Sequence, residues 1–566
     1  MSAGAVDTKE ATHGYDLFYN HKAKLWSIIG TLMVAMLLSA LDQMIFSTAL
    51  PTIVGELNGV EHMLWVTTAY ILAATISMPL YGKLSDLIGR KALLLIGIGI
   101  FLVGSVIGGL AQDMTWLIVG RAVQGLGGGG LMILAQATIS DVIPVKKRGK
   151  YMGLIGGVFG LSSVLGPLLG GYFTDGIGWR WAFWMNLPLG VIAFALAAMF
   201  LKTPFERVKA RFDILGTMTM AIAVTSLVLF TSWGGTTYDW DSPVIISLIA
   251  GFVVFTGLFI WAESKAVEPL IPLKFFKDRN FSLAAIAGLM VGIVMFGALA
   301  YLPTYLQVVN GLGATNSGLL LLPMMGGLIV MSLVSGQVVS RTGNYKVLPI
   351  LGFGLIALSM FLFSTLTPDV PLWQTSIYMV VLGAGIGSVM QTLVLIVQQS
   401  VPHANVGSAT ASNNFFREIG ASLGGAFVGA VFSNNLTRLL VENLPAEALQ
   451  GQSMDSLTPG LIESLPEQIR TIIIAAYNDA LTPVFAYLIP VVVLGLIGLF
   501  FVKQKPIVDD GDSESVTESI VDALIETAPV HSSVSTHTGS FDAVKYVKNN
   551  NGKLVLASLI TGALKD

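Results

Sequence analysis

Apolar runs of about twenty residues recur along the whole chain, and this repetition narrows its folding options more than any single motif does. They lie near 25–50, 63–82, 92–111, 114–139, 150–173, 181–201, 212–233, 243–262, 281–306, 317–339, 347–366, 372–400, 405–432 and 480–502. A helix needs about 20 such residues to cross a bilayer, and irregular backbone in lipid would leave polar groups unpaired. The alternation expected of membrane barrel strands is absent. The expectation is an all-α integral membrane protein with fourteen transmembrane helices. Only 11% of residues are charged, against about 25% in soluble domains.

Basic residues set the orientation. With the amino terminus inside, 26 of the 31 Lys and Arg residues fall in inner segments, including Lys83, Arg90 and Lys91, Lys146 to Lys150, and Arg341 and Lys346. Both termini are therefore expected in the cytoplasm. The polar N-tail has no cleavage pattern, so the first span is read as an uncleaved anchor. With zero cysteines, thiol chemistry is excluded.

Two loops repeat. "GKLSDLIGRK" (Gly82–Lys91) and "GQVVSRTGNYK" (Gly336–Lys346) each carry two glycines seven apart with a basic residue soon after. They follow the second and tenth spans, an offset of six plus two. The expected layout is an N-tail (1–24), a six-helix bundle (25–201), an inserted helix pair (212–262), and a second six-helix bundle (281–502) with an outer loop at 433–479. A C-tail (503–566) follows and is expected to be disordered. Repeated halves around a cavity are the architecture of secondary transporters.

These residues resemble a known family. "GKLSDLIGRK" is similar to the loop signature of the major facilitator superfamily, and "RAVQGLGGGG" to the fourth-span signature of its proton-coupled members. "GPLLGG" (Gly166–Gly171) resembles the antiporter signature of the fifth span. "LDQMIFSTALP" and "WRWAFWMNLPLG" resemble hallmarks of the fourteen-span drug:proton antiporter branch, the EmrB/QacA group. The resemblance implies a major facilitator fold over residues ~20–503. Met44, Ile45, Phe46 and Ser47 depart from that branch's usual first-span wording, which leaves cargo preference open.

A charge near the bilayer centre costs roughly 2.5–3.5 kcal/mol, so it usually meets a partner or a wet cavity. Asp42 lies about 13 Å from the outer end of its span and Arg121 about 10 Å into its own, at 1.5 Å per residue. Equal depth suggests that both face one cavity, where Arg121 favours the ionised carboxylate and separation favours the protonated one. A static ion pair stitching two helices fits the same residues; the resemblance favours proton coupling, because Arg121 matches the signature arginine. Arg417 and Glu418 form a second charged pair in span thirteen. Their side chains diverge by about 100°, so one is expected to line the cavity and the other to meet a neighbouring helix. Glu418 is a candidate for cationic cargo or a second proton, with a neutral structural glutamate or a partner of Arg417 equally open.

Gly125 and Gly127–Gly130 read as a close-packing helix face. Gly166, Pro167, Gly170 and Gly171 add a kink where the bundles could meet and part. Gly82, Asp86, Gly89, Arg90 and Lys91 are, by resemblance, a latch of the outward-facing state, with Asp141 or Arg148 as partners. Arg417 is also assigned to gating. Cargo contacts are expected from Trp65, Tyr70, Gln124, Tyr301, Tyr305, Gln307, Gln391, Asn413 and Glu418, because aromatic faces attract cations. In the outer loop, Leu439–Val441 and Ile472–Ile474 suggest short interfacial helices. "KLVLASLITGALKD" in the C-tail is read as an interfacial helix or as unstructured.

No Gly-x4-Gly-Lys-Ser/Thr loop is present, so an ion gradient is the expected energy source. Six scattered histidines and no cysteine argue against a membrane enzyme. The reading is a proton-coupled exporter of amphipathic, cationic compounds in the cytoplasmic membrane. It is expected to need no metal or cofactor, to bind no nucleic acid, and to work as a monomer on small molecules and protons within the lipid bilayer. Export of one metabolite, lipid, amino acid or antibiotic is the alternative.

Overall fold

The computed structural model describes residues 22–57, 62–201, 212–235, 237–312, 314–444, 462, 466–505, 546–548 and 554–556. Fourteen helices among them are long and apolar enough to cross a membrane. They are α1 (Lys22–Glu56), α2 (Met63–Ile88), α3 (Arg90–Gly109), α4 (Met114–Val142), α5 (Val145–Tyr172), α6 (Trp181–Phe200) and α7 (Ile214–Trp233). The series continues with α8 (Pro243–Lys265), α9 (Arg279–Val308), α10 (Asn316–Thr342), α11 (Val347–Ser364), α12 (Leu372–Gln399), α13 (Val406–Asn443) and α14 (Glu467–Phe500).

Several elements run past their apolar windows. α1 reaches Glu56, α13 continues to Asn443, and α14 starts at Glu467 rather than near 480. The clusters expected as interfacial helices therefore belong to the long helices themselves: Leu440 and Ile473 are buried in the same core as the rest of α13 and α14. Hydropathy marks the lipid-crossing part of a helix, whereas backbone hydrogen bonding carries the helix on into the headgroup zone and beyond.

The buried side chains fall into separate clusters. Two draw almost wholly on α1–α6 and a large one on residues 275–502. A fourth forms where α7 meets both sets: Met220, Val224 and Val228 pack with Leu270, Ile271 and Phe415. At its other end α7 stacks Trp233 edge-on against Trp65 of α2, 5.5 Å between centroids. The inserted pair thus lies along α2 and α13. α8 leaves nearly all of its apolar surface exposed, as a lipid-facing helix must.

One end of the bundle carries the turns at Gly89 and after Val142, which Arg90 and Asp141 join at 3.0 Å; it is termed the basic end below. There the linker after α8 is pinned by Glu263, whose carboxylate accepts the N–H groups of Leu270 and Ile271 at 3.2 and 3.0 Å. Glu268 in that linker pairs with Lys83 at 2.5 Å.

Asp278 caps α9, accepting the N–H groups of Asn280 and Phe281 at 2.9 and 3.1 Å, and pairs with Lys505 at 2.9 Å. Partial burial pushes its carboxyl up, but Lys505 and the capped N–H groups outweigh that and hold it below the usual carboxylate range. Asp278→Ala should cost about 0.5–2 kcal/mol, measured as thermal unfolding in detergent. A depressed acid stabilises above its unfolded pKa and loses that contribution as pH falls through the folded value. The gap between wild type and variant should therefore be full at neutral pH and shrink below about pH 4.

Within the C-tail, residues Val508–Asp566 form a separate unit. Its described part is an antiparallel strand pair, Tyr546–Lys548 with Leu554–Leu556; the expectation of a disordered tail or an interfacial helix falls mostly on residues outside the described ones. The rest of that tail, and much of the outer loop, lie outside the described residues.

Candidate functional site

Asp42 and Arg121 meet. The Arg121 Nη1 donates to Asp42 Oδ2 at 2.5 Å, and both side chains are almost wholly buried, at 0% and 3% exposed. The pair is closed off from solvent inside the α1–α6 half. Asp42 Oδ1 accepts the side-chain amides of Gln124 at 3.1 Å and Asn186 at 2.7 Å. Both amides also reach Ser105 Oγ, at 2.7 and 3.2 Å. The Arg121 guanidinium donates to Gln124 Oε1 at 2.8 Å and lies over the rings of Phe46 and Tyr70, 4.1 and 4.4 Å from their centroids. Tyr70 in turn bonds Ser39 and Gln43 through its hydroxyl, at 3.0 and 3.2 Å. Five helices, α1, α2, α3, α4 and α6, thus contribute to the network around one ion pair.

Burying an ion pair repays its desolvation only when the remaining polar atoms are satisfied. Here the amides and the two rings do most of that, leaving Arg121 Nε and Asn186 Oδ1 without partners. Glycines permit the approach. A Cβ on Gly104 of α3 would strike the backbone of Gln124, and one on Gly128 the Tyr70 hydroxyl. This is why glycines accompany Arg121: the helices must touch for short side chains to reach the acid.

Two candidate cargo residues, Tyr70 and Gln124, are therefore structural partners of this pair, because each is fully buried and bonded within it. Tyr305 is likewise buried, donating to Asn478 Oδ1 of α14 at 2.9 Å. Trp65 is half-buried against Trp233, Tyr301 against Phe432 at 5.3 Å, and Gln307 is half-buried. Gln391 and Asn413 are buried with their amide oxygens unpaired, a costly state that leaves them as the strongest remaining polar candidates. Arg417 and Glu418 do not part company; they touch at 3.4 Å, since long side chains bend across the 100° between neighbours. Glu418 stays partly exposed and Arg417 is buried.

The two halves are joined toward the basic end. Asp86 accepts the backbone N–H groups of Gly407 and Ser408 at 3.0 and 2.8 Å and the Ser408 hydroxyl at 2.7 Å. It binds the N-terminus of α13 where the helix dipole favours an anion. Arg90 holds Asp86 at 2.8 Å and Asp141 at 3.0 Å and also donates to Ser85. Gly82 sits against Gly407 and Ala411, and Gly89 turns at φ 93°. Lys91 points elsewhere, donating to the Ala198 carbonyl at 2.6 Å. Arg148 bonds the carbonyls of Ser140 and Ile143.

Deeper in the seam, Asn414 donates to Gln136 Oε1 at 2.9 Å and Gln398 to the Gln136 carbonyl at 3.4 Å. The kink glycines expected at the meeting of the halves lie elsewhere. Gly166 packs on Met44 of α1 in its own half, Gly171 has no close neighbour, and Gly170 is buried beside Pro167. The crossing runs instead along Gly149, Gly153, Gly156 and Gly160 of α5 against Ile329, Ser332 and Gly336 of α10. Sequence reasoning missed this seam although its glycine spacing of four, three and four was visible; it also missed Ser105 and Asn186, the latter a lone amide in an apolar span.

The Major Facilitator Superfamily model matches residues 32–425. Multidrug transporter protein MdtP of Bacillus subtilis (strain 168) is 38% identical over 478 residues, covering 82% of this chain and 88% of that protein. Multidrug resistance protein 3 of the same organism is 35% identical over 484 residues, with 84% and 94% covered. An uncharacterized MFS-type transporter of Mycobacterium tuberculosis (strain ATCC 25618 / H37Rv) is 41% identical over 485 residues, 86% of this chain and 70% of its own length. Among solved structures, the proton:xylose symporter XylE superposes with a TM-score of 0.58 at 14% identity, over 88% of this chain and 99% of that one; this likeness speaks for the fold alone. The chain belongs to the Major Facilitator Superfamily and is a multi-pass membrane transporter, not an enzyme.

Proposed function

We propose that the protein exports amphipathic cationic compounds in exchange for protons, by alternating access across the cytoplasmic membrane. The observation that carries this reading is the sealed Asp42–Arg121 pair. A carboxylate buried with one arginine and two amides stays charged only while those partners hold. Rocking that withdraws Arg121 leaves a bare charge in low dielectric, and taking up a proton relieves it. The closed seam at the basic end fits an outward-facing state, with that end and both termini cytoplasmic. The two Bacillus subtilis relatives named for multidrug transport and resistance support the cargo class. The energy source is then the proton gradient, with no cofactor, and the working unit a monomer.

The test is proton movement in proteoliposomes holding a pH dye: adding a lipophilic cation should release protons on the opposite side from cargo uptake. Cargo uptake that proceeds with no proton flux at any imposed pH gradient would refute the coupling.

Glu418, partly exposed beside Arg417, supplies negative charge where a cation could reach it. Glu418→Gln should lower resistance to divalent cationic compounds several-fold while leaving transport of monovalent ones and its pH dependence intact. A uniform loss for both classes would place Glu418 in energy coupling instead.

A further inference from the structure

The two repeated loops differ in one chemical respect. Their first glycines, Gly82 and Gly336, both touch the opposite half, Gly82 at α13 and Gly336 at Gly149 of α5. Their second glycines, Gly89 and Gly343, both take positive φ, 93° and 68°. Four residues after the first glycine, one loop has Asp86, which holds α13, and the other has Ser340. The first contact between halves is therefore closed by a carboxylate, and its counterpart has none.

In place of an acid, a cavity of about 220 Å³ opens there, lined by Lys150 of α5 and by Gln337, Ser340 and Arg341 of α10. Lys150 and Arg341 approach from opposite halves. Among the described residues neither has a carboxylate partner, and the Lys150 ammonium lies only over the Tyr151 ring at 5.8 Å. Three other cations at this end have acid partners: Lys83 pairs with Glu268, Arg90 with Asp86 and Asp141, and Lys505 with Asp278. Two like charges facing each other across a seam oppose its closure, unless an anion lies between them.

We propose that the phosphodiester headgroup of an anionic phospholipid occupies this cleft and supplies the charge that Ser340 does not, clasping α5 to α10 when the basic end is closed. Lys150 and Arg341 neutralise the phosphate, while the Gln337 amide and the Ser340 hydroxyl donate to its oxygens. A lipid is favoured over a soluble anion by the level of the site. Tyr151 stacks edge-on with Trp26 at 6.1 Å, and Trp26 is 52% exposed, the placement of aromatic residues at the headgroup boundary. Basic pockets between helices on the cytoplasmic side suit such headgroups.

The experiment is native mass spectrometry of the full chain with phosphatidylglycerol or phosphatidylcholine added, for wild type, Lys150→Gln, Arg341→Gln and the double variant. Wild type should retain phosphatidylglycerol over phosphatidylcholine. Affinity should fall about five-fold for each single change and about twenty-five-fold for both, from roughly one factor of five per basic group. The substituted side chains are exposed, so folding persists. In nanodiscs, a reporter thiol at Ser332→Cys, on the same seam, should label faster when phosphatidylglycerol is omitted from wild type, and show no such dependence in the double variant. Equal retention of the lipid by the double variant would overturn the proposal. So would inorganic phosphate slowing the labelling as well in discs of phosphatidylcholine alone.

Discussion

Asp42→Asn should abolish cargo-driven proton movement while the protein still reaches the membrane. Asparagine keeps the shape of the side chain and one acceptor oxygen, so Gln124 and Asn186 retain a partner, but it carries neither charge nor an exchangeable acid proton. Arg121 is then buried without its counter-ion. Breaking such a pair costs about 3–5 kcal/mol, part of which the rings of Phe46 and Tyr70, 4.1 and 4.4 Å away, offset as cation–π contacts. The expected protein is less stable but folded, and its proton signal falls to that of empty vesicles. Asp42→Glu separates the two effects: a longer acid that restores any proton movement shows that the titratable group matters beyond packing. Wild-type coupling in the asparagine variant would remove Asp42 from the mechanism.

Asp86→Asn should open the basic end. Asp86 makes charge-assisted bonds to Gly407, Ser408 and Arg90, and a hydrogen bond to a charged group contributes about 1.5–3 kcal/mol. Losing one such increment shifts a two-state equilibrium about ten- to a hundredfold. The native chain has no cysteine, so Ser332→Cys provides a single thiol; Ser332 is buried against Gly153 and donates to its carbonyl at 3.1 Å. Labelling by a maleimide from the basic side should accelerate at least about tenfold in the Asp86→Asn background. An unchanged rate would mean that the glycine seam along α5 and α10 holds the closed state without the latch.

The relation between sequence and structure is clearest in these same residues. Fourteen helices were legible because lipid imposes length and apolarity on each span separately, a constraint that needs no neighbour. The depth match between Asp42 and Arg121 was legible for the same reason, since rise per residue converts position to height. What height could not tell was azimuth. Asp42 is buried in its own half, where Asn186 bonds it and Ser105 bonds the amides that hold it, from helices whose rotation no local pattern reveals. Gly166 and Gly149 are both glycines of one helix, yet only the second touches α10, because which face of α5 meets which half depends on how all fourteen helices pack.

Composition and spacing, then, determined by themselves that this chain spans a membrane many times and hides a charge pair at one level. The tertiary structure alone decided which helices share that pair, that Tyr70, Gln124 and Tyr305 are buried and hydrogen-bonded in the interior, and that one repeated loop closes on a carboxylate while the other is left with two cations. The physical reason is that burial in lipid acts on each residue along a single axis, whereas hydrogen bonding and close backbone approach act between helices in the plane across it.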